Sequence, residues 1–236
     1  MNVSHLSEFY SIIDEARQRQ GGPLTLSQCN GSMNWPDRGV YFFFEPGENR
    51  ADSSSGPRVV RVGTHAVSRG SKATLWKRLR QHLGTRDGGG NHRGSVFRLL
   101  VGAAIKERDA THNLASWEKR GSVSREIRAN ERDHEVLVSQ HIGQMPLVVV
   151  EIDDEPSRQS MRSHVERNAI ALLSCHPESP KPSCDLPSPQ WLGHSCPKRK
   201  VRDSGLWNSN HVMEPSDPEF LRIMEGYVNR AGAPVL

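Results

Sequence analysis

Residues 39–50 read GVYFFFEPGENR, and residues 58–67 read RVVRVGTHAV. Both are runs of β-branched and aromatic residues bounded by Gly, Pro and Ser, which predicts a strand in each. The polar, Gly- and Ser-rich segment between them is typical of a connection, so the two strands should pair as an antiparallel hairpin. Tyr41 and Arg61 are then expected to lie close together near the surface of the sheet.

A basic helix is predicted directly after this hairpin. Residues 71–84 read SKATLWKRLRQHLG, in which three leucines recur at i, i+4 and i+8. This spacing predicts a helix with one apolar stripe, and Ser71 is a candidate N-cap. Arg78 and His82 are four residues apart, so they share a face beside the leucine stripe.

The order of these segments resembles the catalytic core of the GIY-YIG nuclease superfamily. Residues 39–41, Gly-Val-Tyr, match the GIY motif, and residues 61–63, Arg-Val-Gly, match the YIG motif with arginine in place of its tyrosine. The R-L-x-x-H helix follows where the family places its catalytic arginine, and it resembles the helix of restriction-type members. Each motif is short, so the resemblance rests on their order and spacing. It covers residues 36–210, with a large insertion inside.

The resemblance implies a divalent-metal-dependent endonuclease that hydrolyses phosphodiester bonds in DNA, of restriction or repair type. Tyr41 would be the general base or the group that orients the attacking water. Glu166 would be the one protein ligand of Mg²⁺, with Mn²⁺ as the other candidate ion. The closing asparagine of the family would be Asn208, with Asn210 as second choice. The implied catalytic residues are Tyr41, Arg61, Arg78, His82, Glu166 and Asn208.

This assignment is consistent with what phosphodiester hydrolysis requires. The reaction needs an activated water, stabilised charge on the phosphate and support for the leaving oxygen, and a metal with an arginine can supply the last two. Arg78 would contact the scissile phosphate. A tyrosine hydroxyl is a weak base unless nearby cations favour its ionised form, and the candidate cations are Arg61, His65, Arg78 and His82.

Each residue also has a structural interpretation, and these support a second hypothesis. Tyr41 could be a packed core residue, and Glu166 could form a surface ion pair with Arg162 or Arg167. Because Arg61 replaces the second motif tyrosine, the chain could be a catalytically inactive nucleic-acid-binding module of the same fold.

Basic residues are concentrated around the predicted helix. The chain has 31 Lys and Arg against 27 Asp and Glu, and between residues 69 and 98 there are eight basic residues and one acidic residue, Asp87. Such a patch is typical of a surface that contacts the phosphate backbone, here of duplex DNA. Residues 84–94 contain three consecutive glycines and could form a mobile loop that follows DNA or a simple linker. The predicted DNA contacts are Lys72, Lys77, Arg80, Arg86, His92 and Arg93.

The rest of the chain predicts helices around one small sheet. The fold class is α/β (α+β), with a three-stranded antiparallel or mixed sheet. Residues 1–35 form an N-terminal helical extension, and residues 36–210 form the nuclease-like domain with an insertion near residues 107–140. Residues 211–236 contain a C-terminal helix packed on the same domain.

The third strand and the helix after it place the candidate metal ligand. Residues 146–152 are a continuous apolar run, which indicates a buried central strand. Residues 156–174 should form a helix with Glu166 just off its apolar stripe, where the family has its glutamate.

Composition excludes several other classes. No apolar run is long enough to span a membrane, and the N-terminus lacks the pattern of a secretory signal, so a cytoplasmic location is expected. Four cysteines without regular spacing do not indicate a disulfide framework. A zinc site stays open, although the spacing matches no standard C-x₂-C pair; its candidate ligands are Cys175, His176, Cys184, His194 and Cys196. The oligomeric state does not follow from the sequence.

Overall fold

The computed structural model describes five ranges: residues 4–50, 56–109, 114–119, 121–178 and 184–230. Its centre is an antiparallel sheet with the strand order β1-β4-β2-β3. The strands are β1 (Leu24–Thr25), β2 (Gly39–Asn49), β3 (Pro57–Gly63) and β4 (Pro146–Glu151). The α/β class and the three predicted strands are confirmed. The sequence does not predict β1, because two residues carry no alternation pattern.

Strand β2 continues beyond the apolar run, through Glu45, to Asn49. The Glu45 side chain is buried, and one of its oxygens accepts hydrogen bonds from the indole N–H groups of Trp191 (3.0 Å) and Trp207 (2.9 Å). Glu45, the charged residue that ends the apolar run, can therefore be buried within the sheet, because two tryptophans distant in sequence donate hydrogen bonds to its carboxylate.

Helices cover both faces of the sheet and share its two hydrophobic clusters. On one face lie α1 (His5–Arg19), α6 (Met161–Leu173) and α8 (Glu219–Arg230). On the other face lie α2 (Leu75–Leu83), α3 (Val96–Asp109) and α5 (Arg132–Gly143). Phe42 faces the first group and Tyr41 the second, as strand alternation predicts.

Helix α2 begins later than the predicted N-cap suggests. Its N-cap is Thr74, whose hydroxyl accepts a hydrogen bond from the backbone N–H of Lys77, so Ser71 lies outside the helix. Leu75, Leu79 and His82 form the buried face. Trp76 and Arg78 therefore lie on opposite flanks of this stripe.

A β-bulge in β3 changes the direction of Arg61. Phe43 pairs with Arg61, whereas the next residue of β2, Phe44, pairs with Val59, so Val60 is an extra residue in β3. Val60 packs in the cluster under α2, and Arg61 points to the same side because it lies opposite Phe43. Strict alternation would put these two neighbours on opposite faces, and a bulge is the usual way to re-aim a side chain.

The region predicted as an insertion is partly buried. Residues 110–113 and 120 fall outside the described residues. Helix α4 (Arg125–Asn130) has no buried residue, as expected for an exposed helix, whereas α5 packs on α3 through Val138 and Ile142.

The cysteines include one disulfide bond that the sequence does not predict. Cys175 and Cys184 form a disulfide bond, and Cys196 is a buried free thiol. His194 forms a hydrogen bond with the carbonyl of Ser188. Two of the candidate zinc ligands are therefore covalently linked to each other, and the described residues contain no group of three that could hold a metal ion.

The short helix α7 (Arg199–Ser204) precedes the segment that borders β3. Within the described ranges, no helix combines the length and apolar character that crossing a membrane requires.

Candidate active site

Tyr41 lies in β2 with its hydroxyl group over the end of β3. Its side chain is completely buried and contacts the rings of Phe43 and His82. Tyr41 pairs with Gly63 across the two strands, and a Cβ atom at position 63 would overlap the Tyr41 hydroxyl. Only glycine at position 63 leaves room for the Tyr41 hydroxyl. This contact explains why the second motif ends in glycine.

Tyr41 is joined to a buried histidine by a short chain of hydrogen bonds. Its hydroxyl lies 2.9 Å from Nε2 of His82, and Nδ1 of His82 lies 2.7 Å from the hydroxyl of Ser95. Burial lowers the pKa of His82 well below its usual value, and neighbouring arginine charges lower it further. His82 is therefore neutral at pH 7, and one ring nitrogen is free to accept a proton.

Arg61 is a buried cation with an unused donor next to Tyr41. One terminal nitrogen donates to the carbonyl of Trp207, and the guanidinium carbon lies 5.5 Å from the centre of the Phe97 ring. Its Nε is buried and has no hydrogen-bond partner in the described part of the chain. Burial lowers the pKa of Arg61, while the proximity of Tyr41 and Glu166 raises it. An arginine stays protonated under such shifts, so the positive charge is retained.

Arg78 lies on the flank of α2 that faces this centre. It is half-buried, and its Nη1 donates to Gln81 Oε1 (3.1 Å) and to the carbonyl of Gly94 (3.4 Å). No carboxylate of the described residues forms an ion pair with it. Its charge lowers the pKa values of both His82 and Glu166, which places it near each of them.

Glu166 reaches the same centre from the other side of the sheet. Helix α6 packs on the face opposite Tyr41, but Glu166 extends to the end of β3, where its Oε1 accepts a hydrogen bond from the N–H of Thr64 (3.1 Å). Burial raises the pKa of Glu166, and the charge of Arg61, the Thr64 N–H and weaker contributions from other cations oppose this rise. Glu166 is thus a half-buried carboxylate, and the neighbouring cations do not fully offset the rise in its pKa that burial causes.

The predicted surface ion pair of Glu166 does not form. Arg162 is held by Asp154, and Arg167 is paired with Glu214. Because both arginines are used elsewhere, the structural interpretation of Glu166 as a member of a surface pair is wrong.

The surroundings of Glu166 fit a metal ion that is shared with a substrate phosphate, and they do not fit one that is held by protein ligands alone. Its second oxygen, Oε2, accepts no hydrogen bond from the described residues, so it is available to a hard cation. Mg²⁺ is commonly held by one or two carboxylates, with water and substrate phosphate oxygens completing its shell. The described residues offer no cluster of three ligands. They therefore fit an ion that Glu166 and a phosphate group would share, and they do not fit an all-protein cage.

Asn208 borders the site through the backbone of β3. Its Oδ1 accepts a hydrogen bond from the N–H of Val62 (3.1 Å), and its Nδ2 donates to the carbonyl of the same residue (2.9 Å). The preceding Trp207 donates its N–H to the carbonyl of Val60 (2.7 Å). The side chain of Asn208 thus binds the free backbone N–H and C=O groups of Val62 at the outer edge of β3, next to Arg61. Asn210, in contrast, is exposed.

The predicted DNA contacts separate into two groups. The first group is exposed and forms no ion pair within the described ranges: Lys72, Lys77, Arg80 and Arg86. The second group faces inward, because His92 is 2% exposed and bonded to Glu135, and Arg93 is paired with Glu131 at 2.6 Å. This corrects the prediction for His92 and Arg93, since carboxylates from the region of α5 bind both side chains.

Sequence reasoning missed the residue at the centre of this second group. Arg98 is fully buried in α3, donates to the carboxylate of Glu135 through Nε and Nη2, and donates to the carbonyl of His82 at 2.9 Å. The available signal was Arg98 as the single charged residue inside the otherwise apolar run SVFRLLVGAAI, residues 95–105. We call the group formed by His92, Arg93, Arg98, Glu131 and Glu135 the anchor cluster.

The glycine loop also belongs to this arrangement. A Cβ atom at Gly90 would overlap the guanidinium group of Arg98, and Ser139, a partner of Arg98, donates to the carbonyl of Gly89 (2.9 Å). The loop, for which the sequence leaves a mobile DNA contact and a simple linker as alternatives, therefore packs over Arg98.

The antiparallel sheet, the contact of Tyr41 with Gly63 and the Glu166 side chain of α6 at the end of β3 agree with the nuclease-like domain that the sequence predicts. The family model described as "GIY-YIG domain" matches residues 1–234. The chain therefore belongs to the GIY-YIG domain family, as its resemblance to that superfamily predicted, and this membership indicates a nuclease-type function. No curated protein and no solved structure matches the chain.

Proposed function

We propose that this chain is a divalent-metal-dependent endonuclease that hydrolyses phosphodiester bonds in duplex DNA, of restriction or repair type. The observation that supports it most is the hydrogen bond between the Tyr41 hydroxyl and the neutral His82. This pair lies beside two cations, Arg61 and Arg78, and the half-buried carboxylate of Glu166.

The Tyr41–His82 pair gives the site a route for a proton. With the proton of His82 on Nδ1 and directed to Ser95, Nε2 is the acceptor for the Tyr41 hydroxyl. As the attacking water loses its proton to the Tyr41 oxygen, the phenolic proton passes to Nε2. Burial disfavours a charged His82, so the proton is held only transiently, which suits a relay more than a stable acceptor.

The two arginines suit a phosphate that carries developing charge. Arg78 has no carboxylate partner in the described chain, and Arg61 has a buried Nε without an acceptor. Arg78 can therefore donate to phosphate oxygens without first breaking an ion pair, whereas the buried Arg61 would act through its positive charge. A divalent ion on Glu166 would stabilise charge on the phosphate and support the leaving oxygen.

The test measures nicking of supercoiled plasmid by the wild-type chain and three variants in Mg²⁺, in Mn²⁺ and in EDTA. Glu166→Gln keeps the shape but removes the charge that would hold the metal, and Arg78→Ala removes a phosphate donor. We expect each to lower the cleavage rate by about 10²–10³-fold, as loss of one electrostatic group does in other enzymes. The control is Glu225→Gln, an exposed carboxylate on α8, which should cleave at the wild-type rate.

Binding of uncleaved DNA in EDTA distinguishes the two losses of activity. Glu166→Gln should bind as tightly as wild type or more tightly, because a negative charge near phosphate is removed, whereas Arg78→Ala should bind slightly more weakly. If Glu166→Gln cleaves at the wild-type rate, this residue is not the metal ligand. If the wild type never cleaves in either metal, the binding module without catalysis becomes the better assignment, with Arg61 as the residue that replaced the second tyrosine.

Metal binding can also be measured without cleavage. An ion that binds only the folded state raises its melting temperature. Mg²⁺ should therefore raise the melting temperature of the wild type and of Glu225→Gln, and should leave that of Glu166→Gln unchanged.

A further inference from the structure

A pocket of about 570 Å³ lies beside α2, on the flank away from Arg78. Its walls are the loop of residues 29–31, the helix residues Trp76, Arg80 and Leu83, and the turn of residues 84–86. The volume is within the range of sites that take small organic ligands, roughly 300–1,000 Å³. Among the roles assigned above, only the predicted DNA contacts of Arg80 and Arg86 involve residues of this pocket.

The aromatic wall of the pocket is half-exposed. Trp76 stacks on Trp35 with ring centres 5.3 Å apart and planes inclined by 16°, and its indole N–H donates no hydrogen bond to any described residue. A Cβ atom at Gly31 would lie 2.7 Å from that nitrogen, so glycine lets the loop approach this edge closely. The other three tryptophans are at most 3% exposed. The pocket therefore contains a large π-surface and a free donor.

The polar wall of the pocket carries positive charge that nothing in the described chain neutralises. Arg80 and Arg86 are both exposed, and neither forms an ion pair or a side-chain hydrogen bond with the described residues. In contrast, the nearby Arg132 is paired with Asp87 at 3.0 Å. A ligand that combines a flat ring with an anionic group would use both walls.

We propose that this pocket binds one unstacked nucleobase of the substrate strand together with its phosphate. The inference rests on the proposed action on DNA. Bases stack on aromatic side chains without strong sequence preference, and enzymes that take a base out of the duplex hold it in such pockets. Arg80 would contact the phosphate, and Trp76 would stack on the base.

The position of the pocket relates it to the reaction centre. Arg78 and Arg80 lie on opposite flanks of α2, so a strand that contacts both crosses the helix, whose diameter with side chains is about 10 Å. That distance corresponds to about three stacked base steps at 3.4 Å each. The base would therefore be held a few nucleotides from the scissile phosphate, and DNA with an unpaired base there would be the preferred substrate.

Tryptophan fluorescence tests occupancy directly, because only Trp35 and Trp76 are accessible to a ligand. The probe is thymidine 5′-monophosphate, with thymidine as the comparison, in EDTA. We expect saturable quenching by the nucleotide that is mostly lost in Trp76→Phe, and about tenfold weaker binding of thymidine. Arg80→Gln, an exposed side chain without a partner, should remove most of that tenfold difference. Absence of saturable quenching, or quenching equal in wild type and Trp76→Phe, would overturn the proposal.

Fluorescence anisotropy with two duplexes tests the preference on DNA. One duplex is fully paired and the other has a single unpaired thymidine, and both are measured in EDTA with wild type, Trp76→Ala and Trp76→Phe. The wild type should bind the second duplex about tenfold more tightly, since one base stacked on an aromatic ring contributes about this factor. Trp76→Ala should bind both equally, and Trp76→Phe should keep the preference.

These outcomes are independent of cleavage. A wild type that binds both duplexes equally, or a Trp76→Ala variant with the full preference, contradicts the pocket assignment even if plasmid is nicked. A protein that never cleaves but shows the preference keeps the pocket and loses the nuclease assignment. A thermal melt of Trp76→Ala shows whether it is folded, and if it is not, the Arg80→Gln result decides.

Discussion

Two groups of charged residues contact α2, and they differ in whether their charges are neutralised. In the anchor cluster, Arg98 and Arg93 are paired with Glu135 and Glu131, and all four side chains are at most 10% exposed. Around Tyr41 and along the outer side of α2, the described arginines and lysines have no carboxylate partner at hydrogen-bond distance, and Glu166 is only partly compensated.

The difference indicates that the paired charges of the anchor cluster stabilise the fold, whereas the unpaired cations around Tyr41 and along α2 are available to a ligand. A buried cation that is already paired with a carboxylate cannot bind a substrate anion unless that ion pair is broken. A cation without a partner binds phosphate at no such cost. Through the bond from Arg98 to the carbonyl of His82, the anchor cluster also fixes the end of α2 that carries the reacting histidine.

The largest effect is expected from breaking the anchor cluster. Arg98→Met leaves the buried Glu135 with only its contacts to His92, which should lower the free energy of unfolding by about 3–5 kcal/mol. Urea denaturation followed by circular dichroism measures this value. The matched control, Arg80→Met, changes an exposed arginine without a partner and should stay within about 0.5 kcal/mol of wild type.

The double variant Arg98→Met, Glu135→Leu shows whether the loss comes from the uncompensated charge. It should recover part of the stability lost by Arg98→Met, because no buried charge remains unpaired. Equal losses in Arg98→Met and Arg80→Met would show that the two groups do not differ as the structure indicates.

The next effect concerns binding to duplex DNA by the exposed residues of α2 and the turn before it. Replacing Lys72, Lys77 and Arg80 together by glutamine removes up to three phosphate contacts. The slope of log K against log salt should become shallower by about 2 to 3, since each contact contributes about 0.9. The control Arg132→Gln changes an arginine that Asp87 already neutralises, so its slope should equal that of wild type. An unchanged slope in the triple variant would show that this side of α2 does not contact the backbone.

The sequence predicts the parts of this site that depend on local pattern. The strand with Tyr41, the glycine at position 63 and the leucine stripe of α2 each follow from a short segment. The family match indicates the same fold class. The assigned roles of Tyr41, Arg61, Arg78, His82, Glu166 and Asn208 remain predictions that the experiments above test.

The parts that could not be predicted depend on residues far apart in the chain. Lysines and arginines between residues 69 and 98 form one basic patch in the sequence, yet Glu131 lies 38 residues after Arg93 and Glu135 lies 37 residues after Arg98, and folding brings them together. The bulge at Val60 could not be predicted from the sequence either, since it depends on the pairing of β3 with β2 and no glycine or other characteristic residue marks it.

The smallest expected effect is on the melting temperature. It compares the carboxylates of Glu135 and Glu166, and its sign is opposite for the two residues. Burial alone would raise the pKa of Glu135, but His92 and Arg98 outweigh it and hold this pKa below its ordinary value. The pKa of Glu166 is raised by burial, and its neighbours do not outweigh that cause. At pH 7 the ionised Glu135 therefore stabilises the folded state, whereas the ionised Glu166 destabilises it.

Melting temperatures in EDTA between pH 4 and 8 measure both signs. Glu135→Gln should melt below wild type at pH 7, and this deficit should shrink as the pH falls, because Glu135 contributes its stability above the unfolded pKa of about 4.3 and loses it as it is protonated. Glu166→Gln should melt above wild type at pH 7, since glutamine mimics the protonated form that the folded state favours. That gain should disappear near pH 4, where wild-type Glu166 is itself protonated. A Glu166→Gln variant that melts below wild type at pH 7 would mean that Arg61 and Arg78 fully compensate this carboxylate, and the contrast between the two groups would then not extend to the reaction centre.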